Sequence, residues 1–108
     1  MNEKLRTKRA SKKLREENES NQRHLMTALD SLGSEGITSA SGYEIAKRDA
    51  QLRNPDNPIW YFMGEGRIFR ALEGLVDSGQ LTRIRYEDER RIARYLYCMP
   101  EPTETPQE

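Results

Sequence analysis

With 108 residues, of which 34% are hydrophobic and 33% charged, the chain has material for one small domain and not two. A mean hydropathy of -0.98 excludes a large core, and no run approaches a membrane span or the apolar part of a signal peptide, so a cytoplasmic protein with no membrane partner is expected. Lysine plus arginine balance aspartate plus glutamate at 18 each, and the lone Cys98 can form neither an internal disulfide nor a cysteine-based zinc site, which fits a reducing compartment.

The zero net charge hides a segregated arrangement. Residues 1–15 carry Lys4, Arg6, Lys8, Arg9, Lys12, Lys13 and Arg15 against Glu3 alone. Residues 67–99 carry seven arginines against Glu73, Asp77, Glu87, Asp88 and Glu89, while the segment between and the tail after Pro100 are acidic. Two basic regions therefore flank a mildly acidic middle, and a charged partner responds to such patches more than to the whole-chain sum.

In chain order, residues 1–20 offer only Leu5, Ala10 and Leu14 as apolar positions, too few to hold a helix on a core, so a frayed or helical basic arm is expected. Leu25, Met26, Leu29 and Leu32 then fall at helical spacing, which predicts a first core helix over roughly Asn21–Leu32 stopped by Gly33. After a short extended piece at Ile37, Ser41-Gly-Tyr-Glu44 has the spacing of a capping box and starts a second helix. Tyr43, Ile45, Ala46, Ala50 and Leu52 are its expected buried side, and the proline-bounded turn 54–58 closes it.

An aromatic run from Ile59 to Met63 follows, and Gly64-Glu-Gly66 leads into a third helix over 67–78. Ile68, Leu72, Leu75 and Val76 form its apolar stripe, and Gly79 is placed to end it in the left-handed conformation. Residues 81–86 and 91–99 alternate as two strands around a polar turn, with Leu81, Arg83 and Arg85 on a basic face and Thr82, Ile84 and Tyr86 on a more apolar one. The tail from Pro100 is proline-rich and acidic, and disorder is expected over 100–108. The fold class is α+β, mostly helical: three helices plus a β-hairpin, the outline of a winged helix-turn-helix over 21–99.

Two motifs carry a family likeness. Ser41-Gly-Tyr-Glu-Ile-Ala-Lys47 is similar to the start of the second helix in the PadR-like transcriptional regulators, and residues 66–79, Gly-Arg-Ile-Phe-Arg-Ala-Leu-Glu-Gly-Leu-Val-Asp-Ser-Gly, resemble that family's recognition helix. Arg90, Arg91, Arg94, Tyr95 and Tyr97 resemble its basic, aromatic ribbon. The resemblance implies a sequence-specific DNA-binding regulator, a repressor that occupies a promoter, with double-stranded DNA as its partner. Family members continue into C-terminal helices that pair subunits. This chain ends in an acidic tail instead, so pairing by that route is not expected, and a homodimer, if one forms, would use the N-terminal segment or the first helix.

In such a fold the third helix enters the major groove by its N-terminal residues and the hairpin reaches phosphates or a neighbouring groove. Arg67 and Arg70 lie opposite Leu72 and Leu75, placed to reach guanine edges; the alternative is solvated arginines pairing with Glu73 or Glu44. Arg83, Arg85, Arg90, Arg91 and Arg94 are the expected phosphate contacts of the strands, Arg90 and Arg91 foremost, with a solvated ribbon face as the alternative, while the acidic turn 87–89 disfavours the tip itself. Tyr43 and Lys47 on the second helix join this set. Lys8, Arg9, Lys12 and Lys13 would wrap the duplex or reach the minor groove from the arm.

Tyr43, Trp60, Tyr61, Phe62 and Phe69 suggest a ligand pocket, but a small domain needs such large residues in its core, so packing is the expectation. No enzyme chemistry is expected. His24 has no nucleophile motif around it, Gly64-Glu-Gly66 lacks the lysine of a phosphate-binding loop, and no metal-ligand or cofactor-binding spacing occurs. Two other readings use the same outline: a winged-helix protein adaptor, or an accessory DNA-binding factor of a phage or plasmid acting in replication or excision.

Overall fold

The computed structural model describes residues 2–100, with side chains from residue 11 onward apart from Trp60. The expected tail at 101–108 and the side chains of Lys8 and Arg9 lie outside the described residues. Three helices, α1 (Asn2–Gly33), α2 (Gly42–Arg53) and α3 (Glu65–Asp77), are followed by an antiparallel hairpin of β1 (Thr82–Glu87) and β2 (Ala93–Cys98), and a single 3-10 turn (Pro58–Tyr61) links α2 to α3. The chain is thus α+β and mostly helical.

The first helix is far longer than its apolar stripe. No glycine or proline interrupts residues 2–32, and Lys12, Lys13 and Arg15 each face a glutamate four residues on, at Glu16, Glu17 and Glu19, so the helix continues backward beyond the part that packs. Only its second half is anchored, through Leu25, Ala28, Leu29 and Leu32. It ends at Gly33, within a residue of the expected place, but the left-handed closing residue is Gly36 at φ 88°, where Gly36 N–H donates to the Gly33 carbonyl and Ile37 N–H to the Leu32 carbonyl.

The second helix begins as expected, with both hydrogen bonds of the capping box present between Ser41 and Glu44. Gly42 sits against α3, because a Cβ there would come within 3.1 Å of Ile68 Cγ2 and 3.2 Å of Leu72 Cδ1. Arg48 donates twice to Glu35 and once to Ser31 Oγ, tying α2 to the end of α1, and that pairing pulls the Glu35 carboxyl below its ordinary pKa and raises the guanidinium's. The helix also buries Asp49, 2% exposed, which no apolar pattern marks. Its Oδ1 accepts from Arg53 Nε at 3.1 Å and lies 3.9 Å from His24 Nδ1, while Oδ2 is buried with no hydrogen-bond partner among the described residues.

Ile45 and Ala46 of α2, Ile68, Ala71, Leu72 and Leu75 of α3, and Met63, Leu81, Tyr97 and Ala40 complete the core around the anchored half of α1. The third helix ends as expected, Gly79 at φ 80° donating to the Val76 carbonyl and Gln80 N–H to that of Leu75. A short bridge between Ala40 and Tyr97 extends the hairpin's inner edge toward α2.

Candidate nucleic-acid interface

The hairpin is docked on α3 by the face that the sequence marks as basic. Its register pairs Arg83 with Tyr97 and Arg85 with Tyr95, so these four share one face, while Ile84 pairs with Leu96 and Tyr86 with Arg94 on the other. Tyr97 is buried and its hydroxyl donates to Glu73 Oε2 at 2.9 Å. Burial, then this bond, push the phenol well above the usual tyrosine range. Arg83 donates to the other oxygen of Glu73 and lies 4.7 Å over the Tyr95 ring. Arg83 therefore bolts the hairpin to α3 and is not a free cation at the surface, whereas the apolar Ile84 stays 45% exposed.

At the turn, Asp88 is consumed internally. Its Oδ1 accepts from the backbone of Arg90 and Ile92 at 2.8 and 3.0 Å, and its Oδ2 from Arg94 Nε at 3.0 Å, which together hold the carboxyl below its ordinary pKa. These bonds let Arg91 adopt φ 62°, a left-handed conformation that arginine rarely takes. The expected repulsion of phosphate by the acidic tip is thereby reduced: Asp88 is neutralised, Glu87 lies 3.7 Å from Arg85, and Arg90 and Arg91 are exposed.

The outer surface of α3 is divided by charge. Gly66, Arg70, Glu73 and Asp77 recur at helical spacing away from the buried stripe, with Arg67 and Arg70 in the first two turns beside one acid, Glu65, and Glu73 and Asp77 in the last two. Arg67 leans toward α1, its Nε 3.5 Å from Glu17 Oε1, so its pairing partner is neither Glu73 nor Glu44. Arg70 is exposed and makes no ion pair with the described residues. Glu17 lies beside Arg67, and Gln22 Nε2 donates to the Ala71 carbonyl at 3.4 Å, so residues 17–22 of α1 pack against α3. Lys12 and Lys13 are exposed on the part of α1 that precedes this contact.

Tyr43 and Lys47 share the exposed side of α2, one turn apart, beside first-turn N–H groups that no intrahelical acceptor can satisfy. Arg67 and Arg70, Tyr43 and Lys47, and Arg85 with Arg90 and Arg91 accordingly come from three neighbouring elements, whereas Lys12 and Lys13 stand apart on α1.

The expected aromatic core does not form. Tyr43 is 63% exposed, Phe69 55%, and Tyr61 and Phe62 are also exposed; Leu52, expected on the buried side of α2, is exposed as well. The space between three short helices is filled by leucine, isoleucine and alanine, and the link before α3 sends in only Met63. Tyr43, Phe62, Phe69, Tyr86 and Tyr95 instead line an open cleft of about 660 Å³ between the hairpin and the starts of α2 and α3, with the Tyr43 and Phe62 rings 5.4 Å apart. The sequence raises a pocket at Tyr43, Phe62 and Phe69 and sets it against core packing, and the structure places these three on the cleft instead of in the core. Among the described residues, no helix is long and apolar enough to cross a membrane, and no cluster of metal-ligating side chains occurs. No protein-family model, curated protein or solved structure matches the chain.

Proposed function

We propose that the chain is a DNA-binding transcriptional regulator of winged helix-turn-helix type, acting as a repressor by occupying duplex DNA. The observation that carries this reading is the outward-facing start of α3, where Gly66 leaves room and Arg70 makes no ion pair among the described residues, flanked on one side by the hairpin's exposed arginines and on the other by a basic helix. Arginine at such a position grips guanine by two parallel hydrogen bonds in the major groove. Lys47 and Tyr43 suit the adjoining phosphates, and the likeness of residues 41–47 and 66–79 to PadR-like regulators points the same way. Residues 2–16 belong to a continuous helix, about 10–12 Å across with its side chains, too wide for a minor groove of about 6 Å. That part of the arm's expected role is replaced: the helix suits the phosphate backbone or a second major groove.

The test is a mobility-shift titration on promoter DNA of its own operon against random duplex. Tighter binding to the promoter, reduced to the random level by Arg67→Ala with Arg70→Ala, is the expected result. With roughly six phosphates neutralised, affinity should fall about a thousandfold between 50 and 200 mM salt. Equal binding of both duplexes, untouched by the two substitutions, would sink specific regulation. The aromatic cleft favours one second reading, a protein adaptor. A stoichiometric protein partner together with no DNA affinity at low salt would select it.

A further inference from the structure

The outer arc of α3 that would face a duplex holds few groups able to read a base. Glu73, the natural acceptor for a cytosine amino group, has both oxygens engaged, one by Arg83 and one by the Tyr97 hydroxyl. Asp77 lies at the far end of the helix, and Gly66 has no side chain. Glu65 borders the aromatic cleft and Arg67 leans toward Glu17 of α1, which leaves Arg70 and Phe69, the latter also at the cleft's edge, adjacent in sequence and on either side of the Gly66–Glu73 line. Arg70 has a polar task available at a guanine edge. Phe69, more than half exposed, has no core to fill and no polar group to offer.

The major groove presents one apolar group on a base edge of unmodified DNA, the 5-methyl of thymine. We propose that Phe69 reads a thymine methyl beside the base contacted by Arg70, which makes it a specificity-determining residue of α3; this inference rests on the DNA-binding reading above. The side chain is suited to that task because it is held on a helix turn whose neighbours Ile68, Ala71 and Leu72 are all buried, so its ring is presented from a fixed backbone. Its exposure also means that truncating it leaves the core cluster intact.

The experiment uses the full chain to enrich duplexes from a random-sequence pool, then resynthesises an enriched duplex with each thymine replaced in turn by deoxyuridine, which lacks only the methyl. Wild-type protein should lose about fourfold in affinity at one position, the worth of one buried methyl group. Phe69→Ala should bind the thymine and deoxyuridine duplexes equally, while Phe69→Leu should retain part of the preference. Indifference of the wild type at every thymine would overturn the assignment while leaving DNA binding in place, as would a penalty that persists unchanged in Phe69→Ala. Failure to enrich any duplex would instead remove the DNA-binding reading, and the assignment with it.

Discussion

Replacing Glu73 by alanine isolates how the hairpin is held on α3. Tyr97 is 3% exposed and its hydroxyl donates to Glu73 Oε2 at 2.9 Å, so the truncation leaves a buried phenol with no acceptor, at a cost of about 2 kcal/mol. Loss of the Arg83 pair adds little, because that guanidinium is partly solvated and exposed ion pairs contribute about 0–1 kcal/mol. Tyr97→Phe removes the donor and leaves Glu73 with Arg83 and water, costing about 1 kcal/mol. In the Tyr97→Phe background, Glu73→Ala loses only the surface pair. The two changes are therefore non-additive by about 2 kcal/mol in a double-mutant cycle, measured by urea denaturation followed by circular dichroism. A coupling below about 0.3 kcal/mol, within ordinary additivity, would refute the claim that the carboxylate satisfies the phenol. The same pair sets an alkaline limit. Burial and the Glu73 bond raise the folded pKa of Tyr97, so its contribution is fully present below the unfolded phenol value of about 10 and is lost as pH rises through the folded one. Wild type should accordingly weaken above about pH 10 more steeply than Tyr97→Phe.

Two further perturbations test other joints. Asp88 has its folded pKa depressed by the Ile92 N–H first and then by Arg94, so its stabilisation is present above the ordinary carboxylate range, about pH 4, and is lost as pH falls through the folded value; hydrogen exchange of the hairpin should speed up on acidification in wild type and respond less in Asp88→Asn. Gly33 lies inside the helix with open space at its Cβ position, so Gly33→Ala should stabilise by about 0.5–1 kcal/mol, whereas Gly36→Ala, at φ 88°, should destabilise by about 1–2 kcal/mol. Thermal melts resolve the two, since each kcal/mol moves the midpoint of a small domain by about 4–8 °C.

The stretches that proved legible in the sequence are those where local chemistry specifies local geometry. The capping box at Ser41 and Glu44, the left-handed Gly79, the stripe of Ile68, Leu72 and Leu75, and the alternation of the two strands each rest on contacts within a few residues, and each recurs in the structure at or within two residues of its expected place. The first helix ends near its expected place, but its left-handed closing residue was not legible. Gly33 and Gly36 are equally able to take positive φ, and which one does so depends on where the Leu32 carbonyl finds its donor.

The sequence by itself determined three helices, a hairpin and the arginines placed outside the core, because propensity, capping and periodicity act over one or two turns. Only the tertiary structure decided which of those groups are free. Arg83 and Arg70 read alike as exposed bases in the chain, yet docking the hairpin on α3 gives Arg83 to Glu73 and leaves Arg70 with no ion pair among the described residues. Phe69 reads as a core aromatic and Tyr97 as part of the basic ribbon, yet Tyr97 is buried and Phe69 is more than half exposed. The physical reason is the same in both cases. Charge pairing and burial are set by residues distant in sequence, here 10 positions apart for Arg83 and Glu73 and 24 for Tyr97 and Glu73, so no local pattern encodes them.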